Sequence, residues 1–104
     1  MNDFEYEVDK NQVTITRYRG TDEDVMVHDT INRMPVTSIG AYAFRECTGL
    51  TSIHLPNSIK TIGDWAFSRC HSLTSVTMPD GCSIGEDAFE DCPAVITIRK
   101  QEDE

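Results

Sequence analysis

No stretch of this 104-residue chain approaches the roughly 20 consecutive apolar residues of a membrane-spanning helix. Its first residues, Met1-Asn2-Asp3-Phe4-Glu5, lack the basic and then apolar shape of a secretion signal; membrane insertion is not expected, and the sequence assigns no compartment. Basic side chains are scarce: 9 Lys and Arg stand against 18 Asp and Glu, a formal charge of −9. That balance would repel a phosphate backbone or an anionic bilayer, which excludes nucleic acid as the main partner. Chemical signatures are missing too. The chain has no Gly-x-Ser-x-Gly elbow, phosphate loop, dinucleotide fingerprint or HExxH motif, and its four cysteines are not arranged in the close pairs of a zinc site. No catalytic, metal-binding or cofactor-binding residue is therefore expected. What remains is one domain's worth of chain, 38% apolar, which is enough to close a core.

The strongest positive signal is internal repetition. Ile39-Gly40-Ala41-Tyr42-Ala43-Phe44, Ile62-Gly63-Asp64-Trp65-Ala66-Phe67 and Ile84-Gly85-Glu86-Asp87-Ala88-Phe89 follow one pattern, spaced 23 and then 22 residues apart. The match continues through Cys47, Cys70 and Cys92, then Leu50, Leu73 and Val95, then Ile53, Val76 and Ile98. A period in the twenties with fixed apolar positions marks a solenoid, in which each unit buries its apolar face on its neighbours. Within a unit, Ala66, Phe67, Cys70 and Leu73 recur at steps of about three or four residues, which predicts a short helical turn. The two-residue spacing of Val76 and Met78 predicts a strand with one inward face. Gly40, Gly63 and Gly85 are expected to allow the sharp turn before each helical segment. Ahead of the repeats, Phe4, Tyr6 and Val8, then Val13 and Ile15, alternate around Asp9-Lys10-Asn11-Gln12, which predicts a β-hairpin capping the first coil.

The pattern Ile-Gly-x-x-Ala-Phe-x-x-Cys-x-x-Leu-x-x-Ile-x-Leu-Pro resembles the bacterial BspA-like leucine-rich repeats over residues 36–98. The resemblance implies an α/β repeat solenoid: a right-handed coil with parallel strands on its concave face and short helical turns on its convex face. It also implies a protein-binding module, since members are often parts of cell-surface proteins. The expected organisation is a single domain over residues 1–100, with a hairpin cap and irregular first repeat in 1–38 and three repeats in 39–100. An acidic tail follows at 101–104. In the first repeat, Val25 and Val27 resemble the strand, with Ile31 to Pro35 inserted before Val36.

Two surfaces are candidates for a partner. If Ile53 and Leu55 point inward, Ser52 and His54 face outward, and the same phase exposes Ser75 with Thr77, Thr97 with Arg99 and, toward the N-terminus, Asp24 with Met26. This strand face is small and polar. The second candidate is lateral: Tyr42 and Trp65 hold one repeat position in adjacent coils, either as an exposed aromatic patch or packed with only a ring edge wet. Cys47, Cys70 and Cys92 are expected to form an inward column of free thiols, leaving Cys82 as the one most open to a thiol reagent. Glu46, Arg69 and Asp91 are expected to stack as an alternating charge row, and His28, His54 and His71 to lie apart. The expected function is non-enzymatic protein recognition. The alternative is a capping or spacer unit of a longer or self-associating solenoid, joined through its open C-terminal end. Charge bears on both: residues 39–79 hold three basic and two acidic side chains, so the excess acidity belongs to the two ends.

Overall fold

The computed structural model describes residues 3–93 and 96–100; Val95 and the expected tail at 101–104 lie outside that range. Among the described residues ten strands build two sheets: β1 (Phe4–Asp9), β2 (Gln12–Tyr18), β3 (Asp24–Met26), β4 (Thr30–Ile31), β5 (Met34–Ile39), β6 (Ser52–His54), β7 (Thr61–Ile62), β8 (Ser75–Pro79), β9 (Ser83–Ile84) and β10 (Ile96–Lys100). The first sheet runs β1-β2-β5-β7-β9, with β4 beside β5, and the second runs β10-β8-β6-β3. Strands of successive coils pair in parallel, Ile53 opposite Val76 and Ile39 opposite Ile62, so the repeat in the sequence is the repeat in space. The fold is a β-solenoid.

The predicted helical turns are absent among the described residues. Each coil instead carries a chain of four-residue turns, closed by N–H to C=O bonds from Ala43 to Gly40, Arg45 to Tyr42 and Cys47 to Phe44. Tyr42, Glu46, Trp65, Arg69, Asp87 and Asp91 all adopt φ between 51° and 61°. An L-residue in that region cannot continue a right-handed helix, and two of them per coil break any such run. The conformation aims alternate N–H groups at the next coil. Tyr42, Phe44 and Glu46 donate to Asp64, Ala66 and Ser68 at 3.2, 2.7 and 2.8 Å. Trp65, Phe67 and Arg69 donate in the same way to Glu86, Ala88 and Glu90 at 3.0, 2.8 and 2.8 Å. The turns thus form a third ladder alongside the two sheets.

Between the ladders the core is apolar. Phe44 and Phe67 are fully buried and stack with ring centroids 5.1 Å apart, and Phe67 stacks on Phe89 at 5.4 Å. Tyr18 continues the column at 5.3 Å from Phe44, and Phe4 packs beside the pair, 5.2 Å from Tyr18 and 6.2 Å from Phe44. Tyr18 also donates its N–H to Ala43 O at 2.8 Å, the bond that a preceding coil would make. The hairpin therefore caps the solenoid by imitating a coil, with β2 adding to the first sheet in parallel with β5. Lys10 and Asn11, with φ of 52° and 61°, supply the two left-handed residues that a tight hairpin demands. Asn32 and Arg33 do the same between β4 and β5, so the segment inserted before Val36 is a second hairpin.

The repeat glycines serve a different purpose from the expected one. None of Gly40, Gly63 and Gly85 has positive φ; that conformation occurs at Gly81. A Cβ on Gly63 would meet Ala41 N at 2.6 Å and Gly40 C at 2.8 Å, and one on Gly85 would meet Asp64 N and Gly63 C at 2.7 Å. The glycines let the coils approach each other.

Candidate functional site

On the second sheet the inward positions are filled by Val25, Ile53 and Val76, then Val27, Leu55 and Met78, all buried. The alternate positions form the outer face. Asp24, Ser52 and Ser75 stand in one register row, and Met26, His54 and Thr77 in the next. At one end of the face Met26 is 65% exposed, beside a depression of about 270 Å³ lined by Met26, His28, Asp29, His54, Leu55 and Pro56. His28 and His54 thus share one hollow, contrary to the expectation that all three histidines lie apart.

Three expected face residues are placed differently. Thr77 is on the face but only 8% exposed, because it stands in register between His54 and Ile98, both larger. Thr97 and Arg99 pair with Val76 and Met78, the inward positions, so they belong to the opposite phase. Arg99 Nη1 accordingly donates to Cys82 O at 3.5 Å, on the core side of the sheet. The cause is one residue of length: five positions separate Cys47 from Ser52 and Cys70 from Ser75, but four separate Cys92 from Ile96. A one-residue slip turns every side chain to the other face. Ile98, assigned inward from the sequence, is therefore opposite Thr77 and 48% exposed. The signal that finds it is the count from cysteine to strand in the third unit.

The polar centre of the face is Asp24. Its Oδ1 accepts from Ser52 Oγ at 2.5 Å and lies 3.2 Å from His54 Nε2. Serine, histidine and aspartate are all present, but the carboxylate sits between the other two. In a nucleophilic triad the imidazole must contact the hydroxyl to take its proton, and the carboxylate orients the imidazole from its far side. The arrangement here stiffens a surface; it does not activate Ser52.

Tyr42 and Trp65 stack face to face, with centroids 5.6 Å apart and planes 7° from parallel. Trp65 is half-buried, and its Nε1 donates to Glu90 Oε1 at 3.1 Å. Tyr42 is 45% exposed, with Arg45 5.6 Å over its ring. Each aromatic covers one face of the other. Tyr42→Ala uncovers one face of the indole, so the fluorescence of the single tryptophan should shift to the red, whereas an unchanged emission maximum would show that the stack does not persist in solution.

The charge row forms as expected. Arg69 reaches Glu46 at 3.1 Å and Asp91 at 3.9 Å, with all three side chains about half exposed. Pairs of that exposure contribute about 0–1 kcal/mol, and Arg69→Ala should lower stability by no more than this in equilibrium denaturation; a larger loss would mean the row does more than fix register.

All four cysteines are free. Cys70 donates its thiol to Phe44 O and Cys92 to Phe67 O, each at 3.0 Å, which ties the column across coils. Cys82 is a correction: it is only 7% exposed, and burial pushes its thiol up, so it is not the most reactive. Burial likewise raises Cys92. Cys47 is the opposite case. The neighbouring Cys70 thiol lowers it, nearby Arg17 adds to the effect, and partial burial opposes both. Cys70, beside Cys47 and fully buried, is driven far up.

A profile of the BspA type leucine-rich repeat region, in six copies, matches residues 28–103. No curated protein matches the chain. Among solved structures, a leucine-rich repeat protein of T. pallidum superposes with a TM-score of 0.86 at 32% identity, over 89% of this chain and 45% of its own. A leucine-rich cell surface protein of Faecalibacterium prausnitzii superposes with a TM-score of 0.79 at 28% identity, over 94% of this chain and 29% of its own. The chain thus spans less than half the length of either. A leucine-rich repeat protein of Bacteroides capillosus shares the fold over 99% of this chain, with a TM-score of 0.72 at 21% identity.

Proposed function

The chain belongs to the BspA-type leucine-rich repeat family, and from that membership we propose that it is a non-enzymatic recognition module whose second sheet binds another protein. The observation that carries this reading is an exposed Met26 on an otherwise polar face, beside a hollow and next to the Asp24-Ser52-His54 cluster. Met adapts its shape to a partner, while the flanking polar groups are held in place before contact and lose little freedom on binding. Ser75 extends the face, and Ile98 adds an apolar end to it. In this reading the coil is right-handed and the face concave, and the F. prausnitzii cell surface protein supports a role on a cell exterior. The Tyr42 and Trp65 pair is the competing contact surface. Capture of one defined protein by the immobilised chain, lost in Met26→Glu with His54→Ala and retained in Trp65→Ala, is the expected result. Loss in Trp65→Ala alone would move the site to the aromatic pair.

One observation favours the second reading, a capping or spacer unit. By the pattern of the first two coils, the N–H groups of Asp87, Phe89 and Asp91 aim outward from the last coil, and they meet no acceptor among the described residues. Ile84 and Ile98 are exposed at the same end. Light scattering across concentration separates the readings: growth in mass supports assembly through this end, and a strict monomer supports free recognition.

A further inference from the structure

We propose that Cys47 and Cys70 form a dithiol site that is oxidised by an anionic low-molecular-weight disulfide, Cys47 being the entering sulfur and Cys70 the resolving one. The two residues hold the same position in adjacent coils, whose backbones are locked by the bonds from Phe44 to Ala66 and from Glu46 to Ser68. Equivalent atoms of adjacent parallel strands lie about 4.8 Å apart, inside the range of Cα separations that a disulfide spans. The Cys70 thiol already crosses into the first coil, since its hydrogen-bond acceptor is Phe44 O, three residues before Cys47.

Access differs along the column. Cys47 is partly exposed and lines a cleft of about 470 Å³ between the cap and the first coil. The charged groups around that cleft are Arg17, Arg19, Arg45, Asp22 and Glu46. Arg19 is engaged by Glu5, and Glu46 by Arg69, which leaves Arg17 and Arg45, the latter over the Tyr42 ring, against the single carboxylate of Asp22, a net positive rim for an incoming anion. Cys70 is fully buried and Cys82 nearly so; Cys92 is partly exposed like Cys47, but it does not line the cleft, and burial and the neighbouring Asp91 push its thiol up. The lowered Cys47 thiol fits the same role, because the thiolate is the attacking species.

The chemistry balances as two exchanges. Cys47 Sγ, as thiolate, attacks one sulfur of the small disulfide, forming a mixed disulfide and expelling one thiolate. Cys70 then gives up its thiol proton and attacks Cys47 Sγ, which expels the second thiolate. Two protein thiols are oxidised to one disulfide, and one small disulfide is reduced to two thiols.

Glutathione disulfide is the probe, applied to the folded, reduced protein and followed by intact mass and peptide mapping. The expected first stable product is a Cys47–Cys70 bridge, with Cys82 and Cys92 still free. Arg17→Gln with Arg45→Gln, which keeps both thiols, should slow the reaction about tenfold with this anionic disulfide and leave the rate with neutral 2-hydroxyethyl disulfide unchanged. Cys47→Ser, checked for folding by circular dichroism, should abolish reaction in the native state. A bridge between Cys70 and Cys92, first reaction at Cys82, a mixed disulfide that persists at Cys47, or equal slowing with both probes would each overturn the proposal.

Discussion

Phe67→Ala should lower the unfolding free energy by about 3–5 kcal/mol, and Phe89→Ala by distinctly less. Both side chains belong to one aromatic column, but they sit at different depths in it. Phe67 is fully buried, with a ring on each side at 5.1 and 5.4 Å. Phe89 is only partly buried and, among the described residues, has an aromatic neighbour on one side alone. Truncating Phe67 removes contacts to two coils and leaves a cavity that neither neighbour can fill, because the backbone ladders hold the coils at a fixed spacing. Truncating Phe89 opens a gap that water reaches. Equilibrium denaturation in urea checks the order, with the slope measured alongside the midpoint so that a change in cooperativity is not read as a change in stability. The reverse order would mean that the coils do not stack in the sequence order 44, 67, 89.

Gly63→Ala carries the second large effect, about 1–3 kcal/mol or more of destabilisation, although it adds only a methyl group. The added carbon would lie 2.6 Å from Ala41 N and 2.8 Å from Gly40 C, and both are backbone atoms that no rotamer change can move aside. Relief requires the second coil to back away from the first, which stretches the bond from Gly63 N–H to Ile39 O, now 2.8 Å. Gly49→Ala is the matched control. A Cβ there meets nothing within 4 Å and Gly49 does not have positive φ, so the substitution should be neutral or slightly stabilising. Equal melting temperatures for the two variants would rule out close coil approach as the reason for glycine at position 63.

The stack is legible in the sequence because each coil repeats the same apolar residues, and a repeated buried position states its own register. Ile39, Ile62 and Phe44, Phe67 are found that way, and they do stack. The turn conformation is not legible. Apolar residues at steps of three and four suit chained turns as well as a helix, and in the first two coils the residues that decide the matter, Tyr42, Trp65, Glu46 and Arg69, are not ones that advertise left-handed φ; only Asp87 and Asp91 in the third are of a type enriched there. Tyr18 is missed for a related reason: the cap copies the shape of a coil and its aromatic but not its sequence. The outer face is read correctly through Asp24, Met26, Ser52, His54 and Ser75, where coil length is constant. It fails at Thr97 and Arg99, where one residue fewer follows the cysteine and inverts the phase. Cys82 is misjudged because its distance from the cysteine column suggests exposure, whereas the turn that holds it folds against the core.

A recognition face binds at low entropic cost only if the coils beneath it are locked together, and that locking rests on the alternate N–H groups of the turns. Native-state amide hydrogen exchange read residue by residue tests it directly. The amides of Tyr42, Phe44, Trp65 and Phe67, which donate to the next coil, should exchange slowly, close to the global unfolding limit, while those of Asp87 and Phe89 in the monomer exchange fast. Fast exchange at Phe44 and Phe67, or protection at Asp87 and Phe89 equal to theirs, would contradict the account.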